Sequence, residues 1–269
     1  MLASPASEWP QGGGWVLEPK YDGYRLLVET RADGRVCAWS RHGTSLTEQL
    51  RELLEPFRAL GAGWVFDGEL IALTNRDGRP AQDFAAVGRA VFGGASEARA
   101  QLHYVAFDLL AAGTDNDIRS QPWRERNKIL AERFPTDRRL RLVSALRATS
   151  DAHARLVTLG FEGSVLKRES SSYKPGRTRS WRKLKARHEL TASVIDVHQD
   201  RDQQIWARCV LEDGRRCTVW ADSRAHHLVG QSVTVVYSRT DADGSLREAR
   251  MAQPSSDRAP ASNSSQTGP

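Results

Sequence analysis

Apolar and polar positions alternate at strand spacing in some stretches of the chain and recur at helical spacing in others. Tyr24 to Thr30 and Arg35 to Arg41 flank Ala32-Asp33-Gly34, which predicts a β-hairpin. Leu46, Leu50, Leu53, Leu54 and Phe57 fall at three- and four-residue intervals, the stripe of a helix packed on a sheet, and Ser45 with Glu48 reads as the capping box that opens it. A buried strand is expected from Trp64 to Leu73. Further strands are expected at His103 to Leu110, Leu140 to Val143 and Gly163 to Arg168, with helices near Trp123 to Phe134 and Ser150 to Leu159. This mixture predicts an α+β domain.

From about residue 189 the pattern changes to short strands at Ser193 to Gln199, Ile205 to Leu211, Arg216 to Ala221 and Ser232 to Ser238, with turns such as Glu212-Asp213-Gly214 between them. A small β-barrel is the natural reading. Residues 1–14, rich in Gly, Pro and Ser, read as an unstructured lead-in, and after Met251 no apolar periodicity remains to offset ordering entropy. The expected organisation is therefore a domain over 1–187, a barrel over 188–252 and a disordered tail over 253–269. No internal repeat or heptad array is visible.

Composition changes this picture little, because 39% hydrophobic and 27% charged residues in a chain of 269 are ordinary for a globular protein. Charge placement changes it more. The net charge is +6, yet Lys167 to Arg187 alone holds nine Lys or Arg against the single acid Glu169. That excess favours a polyanionic partner, although many basic proteins bind no nucleic acid. Three cysteines without C-x-x-C spacing argue against a disulfide framework or a zinc site. No stretch approaches ~20 uninterrupted apolar residues and the opening lacks the pattern of a secretory signal, so a cytoplasmic protein with no membrane association is expected.

Chemistry concentrates at Lys20-Tyr21-Asp22-Gly23-Tyr24-Arg25, which puts a lysine, a carboxylate and an arginine at one tight turn between apolar segments. A solvated surface turn accounts for those residues equally well. A nucleophilic lysine would need positive neighbours or desolvation to lose its proton, and a phosphate target would need cations to absorb developing charge. Glu69 in an apolar strand is costly to bury unpaired, which favours chemistry at that position. Arg41 reads as well as a salt-bridge residue, Phe107 as a core ring, and Lys183 with Lys185 as solvated charge on an edge strand, whose alternation puts both on one face.

Order and company carry the argument further. Glu18-Pro-Lys-Tyr-Asp-Gly-Tyr-Arg25, Ser40-Arg41-His42-Gly43, Phe66-Asp67-Gly68-Glu69-Leu70, Tyr104-Val-Ala-Phe107-Asp108-Leu109, Glu162-Gly163-Ser164-Val165-Leu166-Lys167 and Trp181-Arg182-Lys183-Leu184-Lys185 follow one another along the chain. Together, from about Leu17 to Lys185, they resemble the covalent nucleotidyltransferase superfamily of ATP-dependent DNA ligases, RNA ligases and messenger-RNA capping enzymes. Tyr173 to Trp181 is similar to the DNA ligase form of that region. The resemblance implies a nucleotidyltransferase (adenylation) domain of antiparallel sheets flanked by helices, followed by an OB-fold barrel.

It also implies roles. Lys20 would form a phosphoramidate with AMP, with Asp22 beside it in the catalytic motif and Glu18 among the nucleotide-binding residues. Arg25 would contact the nick 5′-phosphate, and Arg41 would grip the broken strand. Glu69 would hold the ribose and, with Glu162, a magnesium or manganese ion. Phe107 would stack on the purine, Lys167 would lie near the α-phosphate, and Lys183 and Lys185 would flank it.

The chain departs from the family pattern in its barrel, where an Arg-x-Asp-Lys signature usually orients the departing pyrophosphate. Gly244 to Met251 resembles the preceding segment only, and Arg247 and Arg250 are weak substitutes, with Arg239 or Arg258 as other candidates. Slow self-adenylation is therefore expected. Only 19 residues precede Lys20, so ATP is the expected donor rather than NAD, and the architecture is similar to minimal viral and bacterial ligases and to the ligase module of bacterial end-joining enzymes. The expected function is a monomeric ATP-dependent DNA ligase acting on nicked duplex DNA through lysine-AMP and DNA-adenylate intermediates. The rivals are an RNA ligase or capping-type nucleotidyltransferase, and a nucleic-acid-binding module with impaired self-adenylation.

Overall fold

Backbone pairing sorts the strands anticipated above into sheets and adds several that the pattern did not announce. The computed structural model describes residues 1–6, 8–76, 79–93, 96–240 and 244–252. The 253–269 segment expected as a tail, and Arg258 within it, lie outside the described residues. The chain divides into two compact units, Met1–Ala186 and Arg187–Pro269.

The first unit contains β1 (Leu2–Pro5), β2 (Trp15–Pro19), β3 (Tyr24–Thr30), β4 (Val36–Ser40), β5 (Trp64–Arg76), β6 (Arg79–Gln82), β7 (Leu102–Ala112), β8 (Leu140–Leu142), β9 (Leu146–Arg147), β10 (Gly163–Arg168) and β11 (Arg177–Lys185). Its helices are α1 (Arg51–Leu54), α2 (Phe84–Phe92), α3 (Ser96–Arg99), α4 (Trp123–Arg133) and α5 (Ser150–Thr158). One sheet has the order β4-β3-β5-β7-β8 with β6 paired to β5, and the other runs β1-β11-β10-β2-β9. Most pairs are antiparallel; β1 with β11 and β7 with β8 are parallel.

The stripe Leu46, Leu50, Leu53, Leu54 and Phe57 is buried as its spacing required, but in a different local structure. The helix begins at Arg51, continues as a 3-10 turn over Glu55–Leu60, and has Leu50 at its N-cap with no side-chain cap bond. Ser45 instead bridges Trp39 and donates to Thr47, so the capping box does not form. Extending the hairpin by that bridge satisfies backbone groups that a longer helix would have had to leave unpaired at its end.

The lead-in reading is corrected at its start. Leu2–Pro5 is a strand on β11, Leu2 N–H donates to Gly176 at 2.7 Å, Ala6 N–H donates to Lys183 at 3.0 Å, and Met1 is buried. Four residues are too few to show a period, and their partner lies some 175 positions away, so no local signal announced the pairing.

The second unit contains β12 (His188–Gln199), β13 (Ile205–Leu211), β14 (Arg216–Ala221), β15 (Ser232–Tyr237), β16 (Arg239–Thr240), β17 (Leu246–Arg247) and β18 (Arg250–Met251). A closed barrel runs β12-β13-β14-β18-β15, an OB-like arrangement with an apolar interior that includes Val194, Ala207, Cys209, Val219 and Val235. Among the described residues no helix is long and apolar enough to cross a membrane.

Candidate functional site

Two glycines set the backbone around Lys20. A Cβ on Gly23 would lie 2.2 Å from the Leu70 carbonyl oxygen, so only glycine lets the turn after β2 approach β5. Gly163, at φ 141°, would put a Cβ 2.1 Å from the Leu184 carbonyl oxygen, and its own carbonyl accepts from Lys20 N–H at 3.0 Å. Lys20 is thereby fixed where the end of β2 meets the start of β10.

The Lys20 ammonium pairs with one oxygen of Glu162, and Lys185 stands 3.5 Å from the other. The Lys183 amine is held below its ordinary range, first by burial and then by Lys185, Lys20 and Arg177. Glu69 lies opposite on β5; burial pushes its carboxyl up to about 7, Lys20 and Arg25 oppose that rise, and Asp67 and Glu162 add to it. One small region thus gathers three lysines and two glutamates from both sheets.

A second cluster lies beneath. Lys167 is 1% exposed, pairs with Glu18 at 2.8 Å, donates to the Phe107 carbonyl at 2.7 Å and sits over the Trp181 and Phe107 rings at 4.1 and 4.8 Å. Its charge is matched by these partners, and the ammonium is held away from open solvent. Burial raises the Glu18 carboxyl to about 7 against the pull of Lys167, and Glu18 Oε1 is buried with no hydrogen-bond partner. A buried acceptor left open is costly unless something donates to it.

Arg25 clamps Asp67 through Nε and Nη2 at 2.9 and 2.6 Å and lies 5.5 Å from the Phe107 ring. A cleft of about 170 Å³ is lined by Glu18, Lys20, Tyr21, Arg25, Glu69, Phe107, Lys167 and Trp181, together with Ala3, Pro19, Val143 and Val165. A larger depression of about 220 Å³, lined by Glu48 to Leu53, Arg99, Leu102 and Arg139, contains none of these groups. The smaller one holds the open acceptor and the shifted carboxyls, and is the better candidate site.

Of the residues singled out from sequence, Glu18, Lys20, Arg25, Glu69, Phe107 and Lys167 line this cleft, and Glu162, Lys183 and Lys185 gather at its Lys20 end. Asp22 presents its backbone N–H to Gln82 at 2.9 Å. Arg41 is exposed in the turn after β4 and is not among the lining residues. Buried Asp67, Asp108 and Arg126 and the half-buried Tyr173 form a polar network that the motif reading did not assign; an arginine inside the apolar stripe of α4, next to Trp123 and Leu130, was the signal available.

A divalent cation fits the donor set only in part. Among the described residues no three His, Cys, Asp or Glu side chains converge to hold a metal. Glu69 and Glu162 offer two carboxylates, which suits a hard cation that completes its shell with phosphate oxygens and water.

A family model described as ATP dependent DNA ligase domain matches residues 1–185. The multifunctional non-homologous end joining protein LigD of Pseudomonas aeruginosa is 36% identical over 182 residues, covering 66% of this chain and 21% of that protein. DNA ligase C1 of Mycolicibacterium smegmatis is 29% identical over 205 residues, covering 72% of this chain and 58% of its own length. The chain therefore spans less than two thirds of either relative. A solved Lig E DNA ligase structure shares the fold, with a TM-score of 0.63 at 18% identity, covering 89% of this chain and 92% of the other.

Proposed function

The chain belongs to the ATP-dependent DNA ligase domain family, and from that premise we propose that it seals nicks in duplex DNA through an AMP carried on Lys20. The observation that carries this reading is the Lys20 amine at a cleft, paired with a Glu162 carboxylate that Lys185 shares and with Lys183 and Glu69 near enough to act on its charge. Lys20 Nζ, once deprotonated, attacks the α-phosphorus of ATP; a P–N bond forms and the P–O bond to pyrophosphate breaks. AMP then passes to a DNA 5′-phosphate, and the adjacent 3′-hydroxyl displaces it. Each step is a phosphoryl or nucleotidyl transfer, for which alignment and charge neutralisation supply most of the catalysis.

The residues divide the work. Lys183 and Lys185 neutralise charge at the α-phosphate, Arg25 contacts the nick 5′-phosphate, and Phe107 stacks on the purine. Glu18 Oε1, buried and open, accepts from the exocyclic amine of adenine, where the oxygen of guanine would repel it. Magnesium or manganese would be held by Glu69 and Glu162 together with phosphate oxygens, and would supply charge neutralisation there. In this reading residues 1–187 form the adenylation domain and 188–252 an OB-fold domain. Three free cysteines, Cys37, Cys209 and Cys217, support a reducing compartment such as the cytoplasm.

Mass spectrometry after incubation with ATP and magnesium should find AMP on the peptide bearing residue 20, and Lys20→Ala should abolish both adduct and sealing. An unmodified peptide, or sealing that survives the substitution, overturns the proposal. The absence of the Arg-x-Asp-Lys signature favours one second reading, a module that binds nucleic acid without adenylating itself. A pre-adenylated nick separates the two: a ligase seals it, and a binding module does not.

A further inference from the structure

Arg25 is committed on almost every side. Its Nε and Nη2 donate to Asp67, Nη2 also donates to the Tyr173 hydroxyl at 3.0 Å, and Nη1 donates to the Met1 carbonyl at 2.5 Å. A guanidinium has five N–H donors, and these bonds use four of them. Among the described residues one Nη1–H is left, so Arg25 can offer a phosphate a single directed donor rather than a two-pronged fork. The direction of that donor is set by whatever holds the other edges.

Tyr173 holds two of the parties at once. Its hydroxyl accepts from Arg25 and donates to Asp67 Oδ2 at 2.7 Å, closing a three-membered ring of hydrogen bonds. Burial and Asp67 push the phenol well above its ordinary range, so it remains the protonated group that both bonds require.

The segment carrying Tyr173 is itself pinned. Tyr173 N–H donates to the Arg119 carbonyl at 2.7 Å, and the Ser171 carbonyl accepts from Arg126 Nη1 at 3.0 Å and from Trp123 N–H at 2.8 Å. Arg126 on α4 is fully buried, grips both oxygens of Asp108 at 2.7 and 2.8 Å, and lies 5.8 Å from the Tyr173 ring. Asp108 directly follows Phe107 on β7. The chain of contacts therefore runs from helix α4 through Ser171 and Tyr173 to Asp67 and Arg25, with a branch to the strand that carries Phe107.

We infer that Tyr173, anchored through Ser171 to Arg126, is the positioning residue that aims Arg25 at the nick 5′-phosphate. This rests on the proposed contact of Arg25 with that phosphate. Tyr173 is not among the residues that line the cleft; it fixes the guanidinium so that its one remaining donor need not be ordered when DNA arrives. Losing the hydroxyl leaves the guanidinium to Asp67 and the Met1 carbonyl alone, and frees the second Nη2–H and the Asp67 lone pair that the ring had tied together.

The test uses the full chain without nucleotide or metal, and nicked duplexes identical except for a 5′-phosphate or a 5′-hydroxyl at the nick. Fluorescence anisotropy gives Kd for each, and their ratio isolates the phosphate contact. Tyr173→Phe should lower the ratio roughly threefold to tenfold, the worth of one ordinary hydrogen bond. Asp67→Asn should act in the same direction. Arg25→Gln should bring the ratio to about one, and adding Tyr173→Phe to it should change nothing further, because both substitutions act through one guanidinium.

A merely structural role would weaken both duplexes alike, leaving the ratio where it was, and that result overturns the inference. A wild-type ratio of one sinks it together with the proposed role of Arg25. If Lys20 takes up no AMP while the ratio still falls in Tyr173→Phe, the ligase chemistry fails and the positioning role stands.

Discussion

The two units solve the problem of an interior in opposite ways. The first buries Glu18, Asp67, Asp108, Arg126 and Lys167, while the barrel, among its described residues, buries Ser238 as its one strongly polar side chain. Charge is expensive to take out of water, and a fold that needed only stability would do as well with apolar residues of similar volume. The unit that retains the charge is the one the ligase family model matches, and its buried groups surround the cleft or brace the strands that line it. The contrast teaches that charge placement, more than hydrophobic content, separates the unit that carries the candidate cleft from the other.

The largest effect that can break this contrast comes from removing one partner of a fully buried pair. Arg126→Met strands the Asp108 carboxylate, removes the side-chain donor to the Gln121 carbonyl and leaves the Ser171 carbonyl only the Trp123 N–H. The expected cost is about 3–5 kcal/mol. Val235→Ala, at an equally buried barrel position, should cost about 2 kcal/mol through lost burial and a small cavity. Urea unfolding of the two variants measures both. If the barrel substitution proves the more costly, the polar interior of the first unit is not what holds it together.

A smaller effect sharpens the contrast by its dependence on pH. Burial sets Glu69 at about 7, above the 4.5 of an ordinary glutamate. The folded state therefore holds the proton more tightly than the unfolded chain. Its contribution is fully present below about 4.5 and is lost as pH rises through about 7. Barrel aspartates move the other way: hydrogen bonds from arginine or tryptophan side chains and from backbone N–H groups hold Asp196, Asp200, Asp213 and Asp222 below their ordinary range. Those contributions are present at neutral pH and fade only in acid. Glu69→Gln should thus gain stability relative to the parent between pH 5 and pH 8, by on the order of 1 kcal/mol once partial solvent access is allowed for. Thermal midpoints for the pair across that range decide it, and a constant difference would mean that Glu69 titrates as an ordinary surface acid.

Much of the fold could be read from the chain because its signals are local. The hairpin around Gly34, the strands at β5, β7 and β10 and the helices α4 and α5 each carry their own period. Strand β1 and the short, uncapped α1 did not, since the first is decided by a distant partner and the second by a bridge to Trp39. The site divides in the same manner. Lys20, Glu69, Glu162, Lys183 and Lys185 stand in contiguous motifs and meet in space. Tyr173 and Arg126 reach Arg25 and Asp108 through contacts 148 and 18 residues apart, and the arginine within the apolar stripe of α4 was the one trace that this pairing left in the spacing. Lys167 shows the limit from the other side: its motif fixed its place in the cleft, but the Glu18 carboxylate and the Trp181 ring, both distant in sequence, decide where its ammonium points.

The smallest effect tests whether it is burial, and not the guanidinium–carboxylate pairing, that gives the first unit its sensitivity. Arg208 and Asp196 form such a pair across β12 and β13, as Arg126 and Asp108 do inside the first unit. The barrel pair, however, is 62% and 42% exposed where the other is wholly enclosed. Water screens the attraction and solvates either partner when the other is gone, so little is lost by breaking it. Asp196→Asn should leave the thermal midpoint within about 2 °C of the parent, and raising salt should erase most of what difference remains. A loss comparable to that of Arg126→Met would show that the barrel depends on its surface pairs as the first unit depends on its buried ones, and the distinction between the two interiors would no longer rest on solvent.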